Sequence, residues 1–133
     1  MRAVFADTFY FIALLDSRDP AHAKAVYFSR RPGWRFVTTE YVLVELADAF
    51  HKPPMRDEFL TLWELLQREP VFRMVPAQRS LLQRGIQHYK KRADKEWQLT
   101  DCLSFVVMDD EGITEALTGD RHFEQAGFRA LLA

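Results

Sequence analysis

The chain has 133 residues, with 18 Lys+Arg against 19 Asp+Glu, a formal net charge of -1, and 48% hydrophobic residues that include 11 Phe, 3 Trp and 4 Tyr. That length suits one domain spanning residues 1–133, and the apolar content excludes global disorder. The near-neutral balance excludes an overall basic signature, so any nucleic-acid contact has to come from a local patch.

The predicted elements alternate along the chain. Arg2 to Ala6 is a short apolar run followed by Asp-Thr, which predicts a buried strand ending at a helix start; Phe9 to Leu15 is that helix. Asp19-Pro20 predicts the opening of a helix that runs to about Arg30, where Pro32-Gly33 stops it. Arg35 to Thr38 reads as a second strand. Thr39 is the expected cap of a helix from Glu40 to about His51, ended by Lys52-Pro53-Pro54. Helix resumes from Asp57 to Gln67, with Phe59, Leu62, Trp63 and Leu66 at 3–4 spacing. Val71 to Val75 is a third strand and Gln78 to Arg92 a helix. Thr100 is the expected cap of a helix from Asp101 to Glu111 that stops at Gly112. Ile113 to Thr118 is a fourth strand, a short helix starts at Arg121, and Phe128 to Leu132 is a fifth strand. Strands alternating with helices predict an α/β fold, a central parallel sheet with helices on both faces. Such sheets work at the carboxyl ends of their strands, so the residues after each strand deserve the closest reading.

Acids stand at those places. Asp7 follows the first strand, Asp120 follows the fourth, and Asp101 sits behind Thr100 at a helix start. Taken singly, Asp7 and Asp101 also fit helix-start acids and Asp120 fits a turn. Glu45 is harder to dismiss. Val42, Leu46, Ala49 and Phe50 form a helical stripe expected to face the core, and Glu45 falls on it, where a carboxylate needs a cation or hydrogen bonds. Two unit charges about 5 Å apart repel by roughly 3 kcal/mol at an effective dielectric near 20, so acids converging on one rim either protonate or bind a cation. Oxygen donors without a Cys or His cluster suit Mg²⁺ or Mn²⁺ rather than zinc. Hard divalent ions among carboxylates activate water and neutralise the leaving oxygen in phosphodiester cleavage.

Four segments in order, Val4-Phe5-Ala6-Asp7-Thr8, Val42-Leu43-Val44-Glu45-Leu46, Leu99-Thr100-Asp101-Cys102 and Ala116-Leu117-Thr118-Gly119-Asp120-Arg121-His122-Phe123, closing with Gly127-Phe128, resemble PIN-domain ribonucleases. Among these the chain looks most like the small VapC-type toxins of toxin–antitoxin pairs, over nearly its whole length. The resemblance implies an α/β/α sandwich around a mainly parallel sheet of about five strands, and a Mg²⁺- or Mn²⁺-dependent endoribonuclease. Asp7, Glu45, Asp101 and Asp120 would be its catalytic and metal-holding acids, with Thr8 and Thr118 as supporting hydroxyls. It further implies an RNA substrate, a cognate antitoxin bound near residues 41–50 and 59–66, and a homodimer. The family often has a small polar residue two places after the first Asp; here that place is Phe9.

Lys90, Lys91, Arg92 and Lys95 precede Asp101, and Arg121 follows Asp120, so these are the candidate RNA contacts; a solvated helix end is the competing reading. No glycine pair has GxG spacing, no serine sits in GxSxG, and the four histidines lack HExxH spacing. His122 is near Asp120 in sequence and could touch substrate, with a surface helix position the preferred reading, and Cys102 reads as a small buried apolar residue rather than a reactive thiol. A single cysteine and no apolar run near the roughly 20 residues of a membrane span fit a cytoplasmic protein without membrane contact. Two alternatives remain open: a PIN nuclease without an antitoxin, and a non-catalytic binding module that keeps the acidic pocket. A phospho-acceptor domain would need an acidic pair upstream and a Lys near the last strand, and neither is evident.

Overall fold

Val4, Phe5 and Ala6 have no solvent exposure, and β1 (Arg2–Ala6) runs through the centre of a five-stranded sheet in a computed structural model that describes residues 2–133. Continuous apolar runs of this kind suit a strand covered on both faces. The chain continues through α1 (Thr8–Leu15), α2 (His22–Ser29), β2 (Trp34–Thr39), α3 (Glu40–Ala49), α4 (Pro53–Arg68), β3 (Phe72–Val75), α5 (Arg79–Lys91), α6 (Leu99–Glu111), β4 (Glu115–Leu117), α7 (Arg121–Gln125) and β5 (Arg129–Ala130). The strand order is β3-β2-β1-β4-β5 and every pairing is parallel. The chain builds outward from β1 through β2 to β3, then crosses back to lay β4 and β5 on the other side. The order therefore reverses between β1 and β4, and the crevice outside their carboxyl ends is where such sheets place ligands.

Three helix starts differ from the sequence reading, each for a local reason. Asp19 does not open α2. Its side chain accepts from the Ala21 N–H at 2.8 Å and its carbonyl from the His22 N–H at 2.9 Å, which makes a separate turn and delays the helix to His22. Pro53 and Pro54 do more than end α3: they occupy the first positions of the 16-residue α4, where a missing N–H costs nothing. Thr100 lies inside α6, whose cap is Gln98. Gln98 and Asp101 form a reciprocal capping box, with Asp101 Oδ2 accepting from the Gln98 N–H at 3.1 Å. Thr39 does cap α3 as expected, accepting from the Val42 N–H at 3.1 Å, and Gly112 ends α6 with φ of +68°.

Packing beneath the crevice is aromatic. Phe123 of α7 is fully buried, with its ring 5.0 Å from Phe105 of α6 and 6.4 Å from Phe5 of β1, centroid to centroid. The Trp97 indole donates to Gln125 Oε1 at 2.9 Å, tying the other end of α7 to the segment before α6. Two buried rings and one hydrogen bond thus hold the short α7 where its first turn meets the strand ends.

Candidate active site

Strand register sets the first contact of the site. Phe5 pairs with Ala116 and Ala6 with Leu117, so the next residues, Asp7 and Thr118, emerge side by side from β1 and β4. Thr118 Oγ1 donates to Asp7 Oδ2 at 2.8 Å. Asp7 stands at the N-cap position of α1 but makes no side-chain cap bond; its carboxylate faces the strand end instead. Burial pushes the Asp7 carboxyl up to about 7; the Thr118 hydroxyl pulls it down, and the charges of Asp101 and Glu45 push it further up.

Glu45 reaches the same rim from α3. Its carboxylate accepts from the Thr8 hydroxyl, the first residue of α1. The buried residues of α3 are Val42, Leu43 and Leu46, with Phe50 just beyond the helix, while Ala49 is exposed. The expected core stripe through Ala49 is therefore rotated, and Glu45 sits half-buried at its edge rather than within it. Its partner is a hydroxyl, not a basic side chain.

Asp101 and Asp120 come from helix starts. Asp101, the third residue of α6, is buried, which raises its pKa against the opposing Gln98 N–H and His122 bonds. Asp120 caps α7: its Oδ1 accepts from the His122 N–H at 2.9 Å, and its own N–H donates to Thr118 Oγ1 at 3.1 Å. Thr118 is therefore a hinge between the two halves of the site, donating to Asp7 and accepting from Asp120. His122, read from the sequence as a surface position, turns inward. Its Nδ1 lies 3.1 Å from Asp101 Oδ2 and 3.4 Å from Asp120 Oδ1. One donor atom from each of Asp101, Asp120 and His122 falls within 4.8 Å of the others. Asp7 and Glu45 lie outside that tight group, although their charges act on one another.

The donor set fits a hard divalent cation. It is carboxylate-rich, and burial together with the neighbouring acids raises the Asp7 carboxyl, a penalty that a cation would offset. Of the basic candidates, Lys90, Lys91 and Arg121 are exposed and Lys95 is half-buried. Arg92 is half-buried, its guanidinium bonding Asp94 at 3.0 and 3.1 Å and lying 5.1 Å from the centre of the Trp97 ring. Cys102 is fully buried, and burial pushes its thiol up to about 11, which fits packing rather than reactivity.

The model of the PIN domain matches residues 4–129. The chain belongs to the PIN-domain family. None of the curated proteins compared is similar enough to match. Among solved structures, the Mycobacterium tuberculosis VapC20 toxin, described as cleaving the Sarcin-Ricin loop, is similar with a TM-score of 0.81 at 24% identity, covering 94% of this chain and 95% of that one. VapBC2 from Rickettsia felis, bound to a DNA fragment from their promoter, is similar with a TM-score of 0.68 at 8% identity, covering 96% of each chain. FitAcB from Neisseria gonorrhoeae is similar with a TM-score of 0.63 at 16% identity, covering 96% of this chain and 94% of that one. At these identities the structural likeness establishes the PIN fold.

Two features of this PIN domain escape sequence reading. One is His122, whose inward orientation follows from the buried neighbour Phe123; an i+2 spacing from a capping Asp was the available signal. The other is Phe9. Its ring covers Gly119, where any Cβ would collide with it, so the residue in place of a small polar one packs over the Thr118-Gly119-Asp120 turn.

Proposed function

We propose that this PIN domain, acting as one domain over residues 1–133, is a cytoplasmic metal-dependent endoribonuclease and the toxin of a toxin–antitoxin pair. One observation carries the reading: the β1–β4 register sets Asp7 beside Thr118 in the crevice onto which Glu45, Asp101 and Asp120 also converge. Asp7, Glu45, Asp101 and Asp120 would hold Mg²⁺ or Mn²⁺. When bound, such an ion supplies a Lewis acid that activates water and offsets charge on the leaving oxygen. The chain's own residues orient the acids: Thr118 holds Asp7, Thr8 holds Glu45, and the Gln98 N–H holds Asp101. Arg121, Lys90, Lys91 and Lys95 supply charge for phosphates along the rim.

The description of VapC20 as a Sarcin-Ricin loop cleaving toxin supports RNA as substrate, and the similarity to VapBC2 and FitAcB supports a partner protein. A groove of about 300 Å³ between α3 and α4, lined by Leu43, Val44, Phe59, Leu60 and Trp63, is the proposed seat of an antitoxin segment. Val44 is 61% and Leu60 52% exposed there, more apolar surface than the core requires. A homodimer is proposed alongside. No helix among the described residues is long and apolar enough to cross a membrane.

The test is cleavage of structured RNAs in Mg²⁺ or Mn²⁺, with and without EDTA. Wild type should cut and EDTA should stop it. Glu45→Gln should stay folded by circular dichroism and lose at least about tenfold in rate. RNA binding without cleavage in either ion would support the binding module. Cleavage with no copurifying partner from the native host would support the stand-alone nuclease.

A further inference from the structure

His122 is the nitrogen donor in an otherwise carboxylate crevice, and its position is built. Phe123, the next residue, is fully buried against Phe105, and Gln125 receives the Trp97 indole, so the first turn of α7 has little freedom. The His122 side chain is only 20% exposed, and its Nδ1 faces both acids, at 3.1 Å from Asp101 and 3.4 Å from Asp120. A hydrogen on Nδ1 can serve one of those oxygens well, not both. A cation serves all three atoms together. Neighbouring donors around a six-coordinate ion with ligands at about 2.1 Å stand about 3 Å apart, close to the two separations from His122 Nδ1, and all three atoms lie within 4.8 Å of one another.

We infer that His122 Nδ1 is a direct ligand of the ion, alongside Asp101 and Asp120, and that it biases the site toward Mn²⁺ over Mg²⁺. The inference rests on the metal-dependent reading above. Its chemistry is that of a mixed nitrogen and oxygen donor set. Imidazole binds transition-metal ions well, whereas Mg²⁺ demands oxygen. His122 is thereby separated from a residue that only steers Asp101 by a hydrogen bond, because steering would affect both ions alike.

The experiment uses the purified full chain loaded with Mn²⁺. Pulsed electron paramagnetic resonance reads nitrogen bonded to manganese directly, through the modulation that a ¹⁴N nucleus imposes on the echo. Wild type should show it, and protein grown with ¹⁵N-histidine should show it replaced by the ¹⁵N pattern. His122→Ala should lose it, with Mn²⁺ affinity by calorimetry down about tenfold and Mg²⁺ affinity by less than about threefold. The labelled wild type keeps the test decisive should His122→Ala unfold. Mn²⁺ binding that depends on Asp7 and Asp101 but shows no histidine nitrogen would overturn the inference and leave the proposed nuclease standing. Equal losses for both ions would overturn it too, in favour of steering. Wild type that binds no Mn²⁺ at all would sink the metal site itself, and the inference with it.

Discussion

The two halves of the crevice carry the same charges in different settings. Asp7, at the end of β1, is held by strand register and one buried hydroxyl, and burial lifts its pKa to about 7. Asp101 and Asp120, at the starts of α6 and α7, each accept a backbone N–H and share His122. The helix-start half has internal partners, backbone N–H groups and an imidazole. The strand-end half has the Thr118 hydroxyl and the Thr8 N–H, and burial outweighs both. The unpaid electrostatic cost of the apo site is therefore concentrated at Asp7, and an arriving cation gains most there.

The largest expected effect breaks the strand-end half. Asp7→Asn should lower metal-dependent RNA cleavage on the order of a thousandfold, because the acid most in need of the ion is gone. The same change should raise the stability of the metal-free fold, since Asn keeps the acceptor for Thr118 and removes the buried charge. Single-turnover cleavage and urea titration in EDTA read the two effects. Activity lost together with stability would mean that Asp7 is a structural residue.

The next effect is pH dependence, and its sign follows from Asp7. The folded carboxyl, at about 7, lies above its unfolded value near 3.9, so between them the folded state binds more protons. This contribution is fully present below about pH 4 and is lost as pH rises through 7, a fall of at most roughly 4 kcal/mol. The raised Asp101 acts in the same direction. Urea titrations in EDTA at pH 5 and pH 8 should show lower stability at pH 8. Mn²⁺ should restore it, and Asp7→Asn should flatten the slope. A rise in apo stability across that window would contradict the burial of an uncompensated Asp7.

The smallest effect lies in the helix-start half. Asp120→Asn should change apo stability by less than about 0.5 kcal/mol, because Asn caps as well as Asp, while still weakening Mn²⁺ binding. Asp120→Ala should cost about 1 kcal/mol through the lost cap. If Asp120→Asn stabilised the apo protein as much as Asp7→Asn, the contrast between the halves would fail.

Much of this was legible in the chain. The alternation of apolar runs and helical stripes, the Asp directly after the first strand and the Thr39 cap depend on neighbours within a few residues, where propensity and capping act. The parallel sheet followed from alternation, and the acids at its carboxyl rim followed from the sheet. What depended on distant residues was not legible. One local choice was missed as well: Gln98 rather than Thr100 caps α6 because its capping box closes on Asp101, three residues on. The rotation of α3 that moved Glu45 from the core to the rim is a packing outcome, set by which side chains α1 and the sheet accept. His122 faces Asp101 because Phe123 and Gln125 are gripped by Phe105 and Trp97 from another helix and its leading segment. Thr118 bonds Asp7, 111 positions away, only because β4 crosses back to pair with β1. Short-range pattern names the acids and their order; long-range register and burial decide which acid is buried, which is capped, and which nitrogen stands among them.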